Sequence, residues 1–286
     1  MKNYRIPQLA DKYTNFDMIR TYTTLPPLAN PRLCLLQAVL DEGGTELQKS
    51  ELFALATALV QLAMDTHDEI SAQYEDQRLE KDMRSTQLKV LAGDYFSARF
   101  YYLLAKQGEI ALIAKLSGAV SEVNQLKMDL YFNSQEQVMT VEDYITTVVE
   151  IKSRLFLQFS DLLTGLTANL WPEIIRTISK LEIITGEYER MNQLDSFQDS
   201  LIYWHLLEQM DSSDKQAILA QVNESKLMQW IEQYQIKLWL EQLLEETCNQ
   251  VERLCTELGA VKIVSHLQFL TEKLCSKTNG IQVAVQ

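Results

Sequence analysis

Asp65-Thr66-His67-Asp68-Glu69 is the one acidic cluster set into strongly apolar sequence, directly after the uncharged run Leu52 to Met64. On a helix Asp65, Asp68 and Glu69 stand at i, i+3 and i+4 and share a face. That spacing offers carboxylate oxygens to a hard divalent cation such as Mg²⁺. The same pattern also arises where a core helix emerges into water, and His67 admits both readings. Other chemistry is thinly represented. Cys34, Cys248, Cys255 and Cys275 show no C-x-x-C pairing and only three histidines are present, so neither a zinc site nor a disulfide framework is expected. Cys248 and Cys255, seven apart beside Leu244, Val251 and Leu258, read as small packing residues on one helix face.

The elements that must position the cluster are helices. Nine glycines and five prolines in 286 residues are too few for a loop-rich β architecture. Four of the prolines (Pro7, Pro26, Pro27, Pro31) lie in the first 31 residues and none follows until Pro172, which leaves the chain between free to be helical. The periodicity predicts a helix over 33–40, a turn at Glu42 to Thr45, and a long helix from Leu47, apolar nearly all round and therefore central to its domain. Asp76 to Thr86 reads as a solvent loop or an exposed helical turn, and Gln87 to Ala105 as a second core helix crowded with Tyr95, Phe96, Phe100, Tyr101 and Tyr102. Further helices are expected over 109–132, 141–165, 172–192, 196–210, 214–222, 225–257 and 260–275, with Gly108, Gly165, Gly186 and Gly259 near their ends as C-caps. No internal repeat or low-complexity linker interrupts them. The expectation is one all-α helical bundle over 1–286, with a Pro-containing N-terminal segment (1–31) and a frayed tail (276–286).

Thirty-nine acidic against 26 basic residues leave a net charge of −13, and no basic block occurs, which argues against nucleic acid and anionic membranes as partners. Thirteen uncharged residues fall short of the roughly 20 that span a bilayer, so no membrane span is expected. The N-terminus lacks the apolar core of a signal peptide, which points to the cytoplasm.

Two segments carry a resemblance. Leu59-Val60-Gln61-Leu62-Ala63-Met64 leading into Asp65 to Glu69, followed by Val90-Leu91-Ala92-Gly93-Asp94-Tyr95-Phe96, resembles the helix pair of trans-polyprenyl diphosphate synthases that holds the first aspartate-rich motif and the LAGD segment. In the same order, Thr140-Val141-Glu142-Asp143-Tyr144 with Ile151-Lys152-Ser153-Arg154-Leu155-Phe156 is similar to that family's YxxxxxxKTAxLF helix. Gly186 to Asp199 takes the place of the second aspartate-rich helix. The likeness covers about residues 30–200; the C-terminal helices agree only in pattern.

The departures are as informative. Family enzymes hold Mg²⁺ and the allylic diphosphate between two DDxxD motifs. Here the first becomes Asp68-Glu69-Ile70-Ser71-Ala72 and the second Gln193-Leu194-Asp195-Ser196-Phe197. The GGKxxRP grip on isopentenyl diphosphate is reduced to Arg32, and the arginine pair after the first motif to Arg78; Lys152 is the best-preserved cation. A retained apolar scaffold with degraded diphosphate chemistry resembles the small subunits (component I) of bacterial heterodimeric heptaprenyl or hexaprenyl diphosphate synthases.

The resemblance implies a non-catalytic subunit that binds no metal or cofactor itself. It would pair with a large subunit (component II) carrying DDxxD motifs and Mg²⁺, which elongates farnesyl diphosphate with isopentenyl diphosphate to make the menaquinone side chain. Asp68, Glu69, Arg78 and Lys152 are then remnants of a substrate site, and Ala63, Met64, Tyr95, Phe96 and Tyr102, with Tyr101, are candidates for the subunit interface or the limit on product length. Two other readings stay open: a self-sufficient isoprenoid synthase using Asp65, Asp68 and Glu69, and a helical adaptor built on the stripe Leu240, Leu243, Leu244, Val251, Leu254 and Leu258.

Overall fold

A computed structural model describes residues 4–70, 80–136, 139–191, 193–194, 197–220, 222–259 and 262–283. Among them only helices and turns occur. The α-helices are α1 (Ile6–Thr14), α2 (Asp17–Tyr22), α3 (Asn30–Glu42), α4 (Leu47–Asp68), α5 (Glu80–Lys106), α6 (Ile110–Glu136), α7 (Val141–Leu157), α8 (Gly165–Arg190), α9 (Leu201–Gln209), α10 (Ser212–Ala220), α11 (Glu224–Gln233), α12 (Ile236–Leu258) and α13 (Lys262–Val283). Short 3₁₀ turns stand at Ser160–Leu162 and Phe197–Asp199. The chain packs as two compact units: one holds the described residues up to Val120 together with Leu155–Ala168, the other Ser121–Arg154 and the residues from Asn169 onward.

The all-α expectation holds, and several boundaries are corrected. The N-terminal segment carries α1, α2 and the start of α3, and Pro7 and Pro31 occupy the first turns of α1 and α3, where the missing N–H and fixed φ cost nothing. Glu80 to Thr86 forms the first turns of α5, the helical one of the two readings of that stretch; residues 76–79 lie outside the described residues. The helix expected over 141–165 stops at Leu157, and α8 begins at Gly165, so Pro172 lies inside a helix it was expected to open. The 225–257 stretch divides at Gln235, whose φ of 51° is left-handed and separates α11 from α12. The helix expected over 196–210 is a 3₁₀ turn and then α9, capped by Ser200, whose side chain accepts the Tyr203 N–H. Backbone up to Val283 is helical where a frayed tail was expected from 276. Gly108 and Gly259 do follow helices with positive φ, but Gly165 opens α8 and Gly186 lies within it.

In the first unit α4 is the buried element. From Ser50 to Met64 every residue except Leu52 is buried, including Phe53, Leu59 and Leu62, as an all-round apolar helix requires. Each such leucine stabilises the fold by about 1.5–3 kcal/mol. α1 is fastened to α4 by Arg5, whose guanidinium donates to both carboxylate oxygens of Glu51 at 2.9–3.1 Å. The fork-on-fork geometry suits a carboxylate that is only 8 % exposed.

The second unit has its own core, in which Tyr144, Ile184, Leu201, Trp204, Trp230 and Leu240 are buried together. Here His205 is stacked on Trp239 at 3.7 Å, and burial pushes its pKa down, partly opposed by Glu208. The imidazole is thus neutral when folded and takes up its proton more readily when unfolded. Stability attributable to it is complete above about pH 6.5 and falls as the pH drops from there, by at most about 1.4 kcal/mol per pH unit. Urea unfolding across that window should show the loss in the native chain and a flatter profile in His205→Phe, which keeps the stack.

Candidate functional site

α4 and α5 make the most extensive helix pair of the molecule. Both carry small buried residues, Ala54, Ala58 and Ala63 on α4 and Ala92 and Gly93 on α5. At Gly93 the His67 side chain fills the space where a side chain would stand. A Cβ there would stand 2.5 Å from His67 Nε2 and 2.7 Å from Cε1, so the imidazole lies directly across the α5 backbone. Held there, His67 Nε2 comes within 3.4 Å of Asp94 Oδ1. One turn earlier on α5, Lys89 Nζ donates to Glu69 Oε2 at 2.7 Å, and its side chain is only 16 % exposed. Asp65, farther inside, accepts the Gln61 amide at 2.7 Å. Asp68 is exposed.

The acidic cluster and the LAGD segment are therefore one site. The sequence marks both halves, but the pairing of Lys89 with Glu69 and the seat that Gly93 makes for His67 depend on the fit of two helices and have no local signature. Ala63 and Met64 lie on the buried stretch of α4, 2 % and 7 % exposed. The aromatic crowd of α5 divides: Phe96 and Phe100 point into the core, while Tyr101 and Tyr102 face outward. Tyr95 lies between, edge-on to Phe16 and to Phe96. Tyr101 shares a 2.9 Å hydrogen bond with Ser117 of α6, and Tyr102 carries the Arg99 guanidinium over its ring at 4.7 Å.

Lys152 is half-buried on α7, in the second unit. α7 starts with a capping box: Thr140 Oγ1 accepts the Asp143 N–H, and the Asp143 carboxylate accepts the Thr140 hydroxyl and then its backbone N–H, two bonds that hold the carboxyl below its ordinary range. Arg78 lies outside the described residues. Arg32 is 4 % exposed, with its guanidinium 5.0 Å from the centre of the Phe156 ring. A cleft of about 530 Å³ between α1, α2 and Thr23 to Leu28 reaches Leu62, and none of the candidate residues lines it.

The donor set fits a divalent cation poorly. Mg²⁺ asks for near-octahedral oxygen ligation. Here an ammonium already neutralises Glu69, an imidazole neighbours Asp94, and an amide holds Asp65. Among the described residues no three of His, Cys, Asp and Glu converge as a ligand set.

The seat at Gly93 makes a quantitative prediction. Alanine in place of glycine inside a helix adds about 1 kcal/mol, but here its methyl must displace the His67 ring. Gly93→Ala is expected to be neutral or destabilising in the native chain and stabilising by about 0.5–1 kcal/mol in a His67→Ala background. Denaturant midpoints of the four proteins in this cycle measure the coupling; additive changes would mean that the ring does not occupy the seat.

Residues 16–259 match the family described as heptaprenyl diphosphate synthase (HEPPP synthase) subunit 1. Over 123 residues the chain is 37 % identical to heptaprenyl diphosphate synthase component 1 of Geobacillus stearothermophilus, an alignment covering 43 % of this chain and about half (52 %) of that relative. Among solved structures it is similar to a decaprenyl diphosphate synthase from Rhodobacter capsulatus (TM-score 0.70, 13 % identity, 96 % and 94 % of the two chains). It is similar too to an octaprenyl pyrophosphate synthase from Helicobacter pylori (TM-score 0.64, 16 % identity, 96 % and 97 %). At such identities these likenesses establish the fold, that of the polyprenyl synthases. With the subunit 1 profile matched from Phe16 to Gly259, the chain belongs to the heptaprenyl diphosphate synthase subunit 1 family.

Proposed function

We propose that this chain is the non-catalytic subunit of a heterodimeric trans-polyprenyl diphosphate synthase, required for activity and for product length. The observation that carries the reading is Lys89 seated on Glu69: the position that resembles a cation-binding carboxylate is neutralised from within the chain. Ionisation of an allylic diphosphate needs charge stabilisation by metal or clustered cations, and that chemistry falls to a partner bearing paired acidic motifs and Mg²⁺. The partner uses farnesyl and isopentenyl diphosphates and works in the cytoplasm; its product is the heptaprenyl chain of menaquinone.

This chain contributes surface. Leu91, Tyr101 and Tyr102 of α5 are 63 %, 43 % and 51 % exposed, an apolar face of the kind that a subunit contact covers. Ala63 and Met64, buried in α4, shape the wall near the remnant site. Each five-carbon unit added to a product buries apolar carbon worth about 0.8 kcal/mol per CH₂, so the position of such a wall limits chain length.

The test is transfer of labelled isopentenyl diphosphate to farnesyl diphosphate with Mg²⁺, using this chain alone, a DDxxD-bearing partner alone, and the two mixed. The expected result is turnover in the mixture only, with a heptaprenyl product. Turnover by this chain alone would overturn the proposal in favour of a self-sufficient synthase using Asp65, Asp68 and Glu69. An inactive mixture would favour an adaptor outside isoprenoid chemistry.

A further inference from the structure

None of the four cysteines is in a disulfide, and two of them meet. Cys248 on α12 and Cys275 on α13 are 27 positions apart in sequence, yet their sulfurs stand 3.2 Å apart and share a hydrogen bond. Cys34 and Cys255, by contrast, are buried. Both sulfurs of the pair belong to half-buried residues. α12 and α13 pack along each other as a hairpin closed at Gly259. A disulfide needs its sulfurs at about 2.05 Å, so closure asks for a movement of only about 1 Å, within reach of side-chain rotation.

We propose that Cys248 and Cys275 form a reversible oxidation site, in which a peroxide converts the two thiols into a disulfide that staples α13 to α12. The two sulfurs are not equivalent. The hydrogen bond from Cys248 pulls the Cys275 thiol down to about 7, while the same bond, burial and the nearby Glu252 and Glu245 push Cys248 up. Cys275 is therefore the nucleophile. Its thiolate attacks one peroxide oxygen, the O–O bond breaks, and with one proton taken up a water leaves and a sulfenic acid remains. Cys248 sulfur then attacks the sulfenic sulfur, the S–O bond breaks, and the Cys248 proton departs with the hydroxide as a second water. The two thiols lose two electrons, the peroxide gains two, and an added dithiol reverses the step. In a reducing compartment disulfides of this kind are transient and sensing rather than structural.

The full chain, treated with hydrogen peroxide and then alkylated under denaturing conditions, tests the site by mass. The expected product carries two alkyl groups in place of four and joins the Cys248 and Cys275 peptides. Dithiothreitol restores all four, and amide exchange in α13 slows several-fold in the oxidised form. In Cys248→Ser the intermediate should persist and be trapped by dimedone at Cys275; in Cys275→Ser, Cys248 should stay reduced. Four alkyl groups after peroxide, oxidation of Cys34 or Cys255 ahead of the pair, or unchanged exchange in α13 would overturn the proposal.

Discussion

Phe96→Ala is expected to lower the unfolding free energy by about 3–5 kcal/mol, and Tyr102→Ala by about 1 kcal/mol or less. The two aromatics are six residues apart on α5, yet Phe96 is fully buried and Tyr102 is 51 % exposed. Removing the Phe96 ring leaves a cavity in the first unit, and a loss of that size is a large part of the 5–15 kcal/mol a domain has. Removing the Tyr102 ring takes one of two π faces from Arg99, which keeps Tyr13 at 5.0 Å. Urea midpoints at constant slope would measure both.

The contrast decides how each residue can be used to test the proposed function. Product length from Phe96→Ala would report a damaged fold, so Phe96→Leu is the informative substitution at that position. Tyr102→Ala keeps the fold and asks about the partner directly. If Tyr102 is a contact, affinity for the partner should fall by about 2 kcal/mol, roughly thirtyfold. An unchanged affinity together with an unchanged product would place Tyr102 outside both roles.

Much of this was readable before any coordinates, for reasons that particular residues make plain. Thirteen uncharged residues from Leu52 to Met64 predict a buried helix, and α4 is buried along nearly all of them. Asp65 to Glu69 were expected to end that helix, and they do. What stayed hidden depends on contacts far apart in sequence. Lys89 and Glu69 are 20 positions apart, Cys248 and Cys275 are 27, and no local pattern links either pair. The prolines misled in a systematic way. Read as breakers, they left 1–31 without assigned helices and marked Pro172 as a helix start, whereas Pro7 and Pro31 are first-turn residues and Pro172 is accommodated inside α8. The break at Gln235 had no signal at all, since a left-handed residue that is neither glycine nor asparagine is held by its surroundings rather than by preference.

Arg190→Met should cost about 3 kcal/mol, and the double variant Glu187→Leu/Arg190→Met much less. Glu187 lies on α8 within the segment that resembles a second acidic helix, and its side chain is 0 % exposed. It is held by Arg190, whose Nε donates to Oε1 at 3.1 Å and whose Nη2 donates to the same oxygen, and its Oε2 accepts the Ile202 N–H at 3.3 Å. This carboxylate ties the end of α8 to the first turn of α9 and is not available to a metal ion. Removing Arg190 alone strands a buried charge, which typically costs 3–5 kcal/mol; the lower figure applies because Arg190 is 38 % exposed and water can replace part of what is lost. Removing both charges leaves only the Ile202 amide without its acceptor, a smaller penalty of about 1–2 kcal/mol. Thermal or urea unfolding of the single and double variants checks the order. A double variant no better than Arg190→Met would mean that Glu187 acts through its bond to α9 rather than through the ion pair. Either way Glu187 serves the fold, as the proposed non-catalytic role requires.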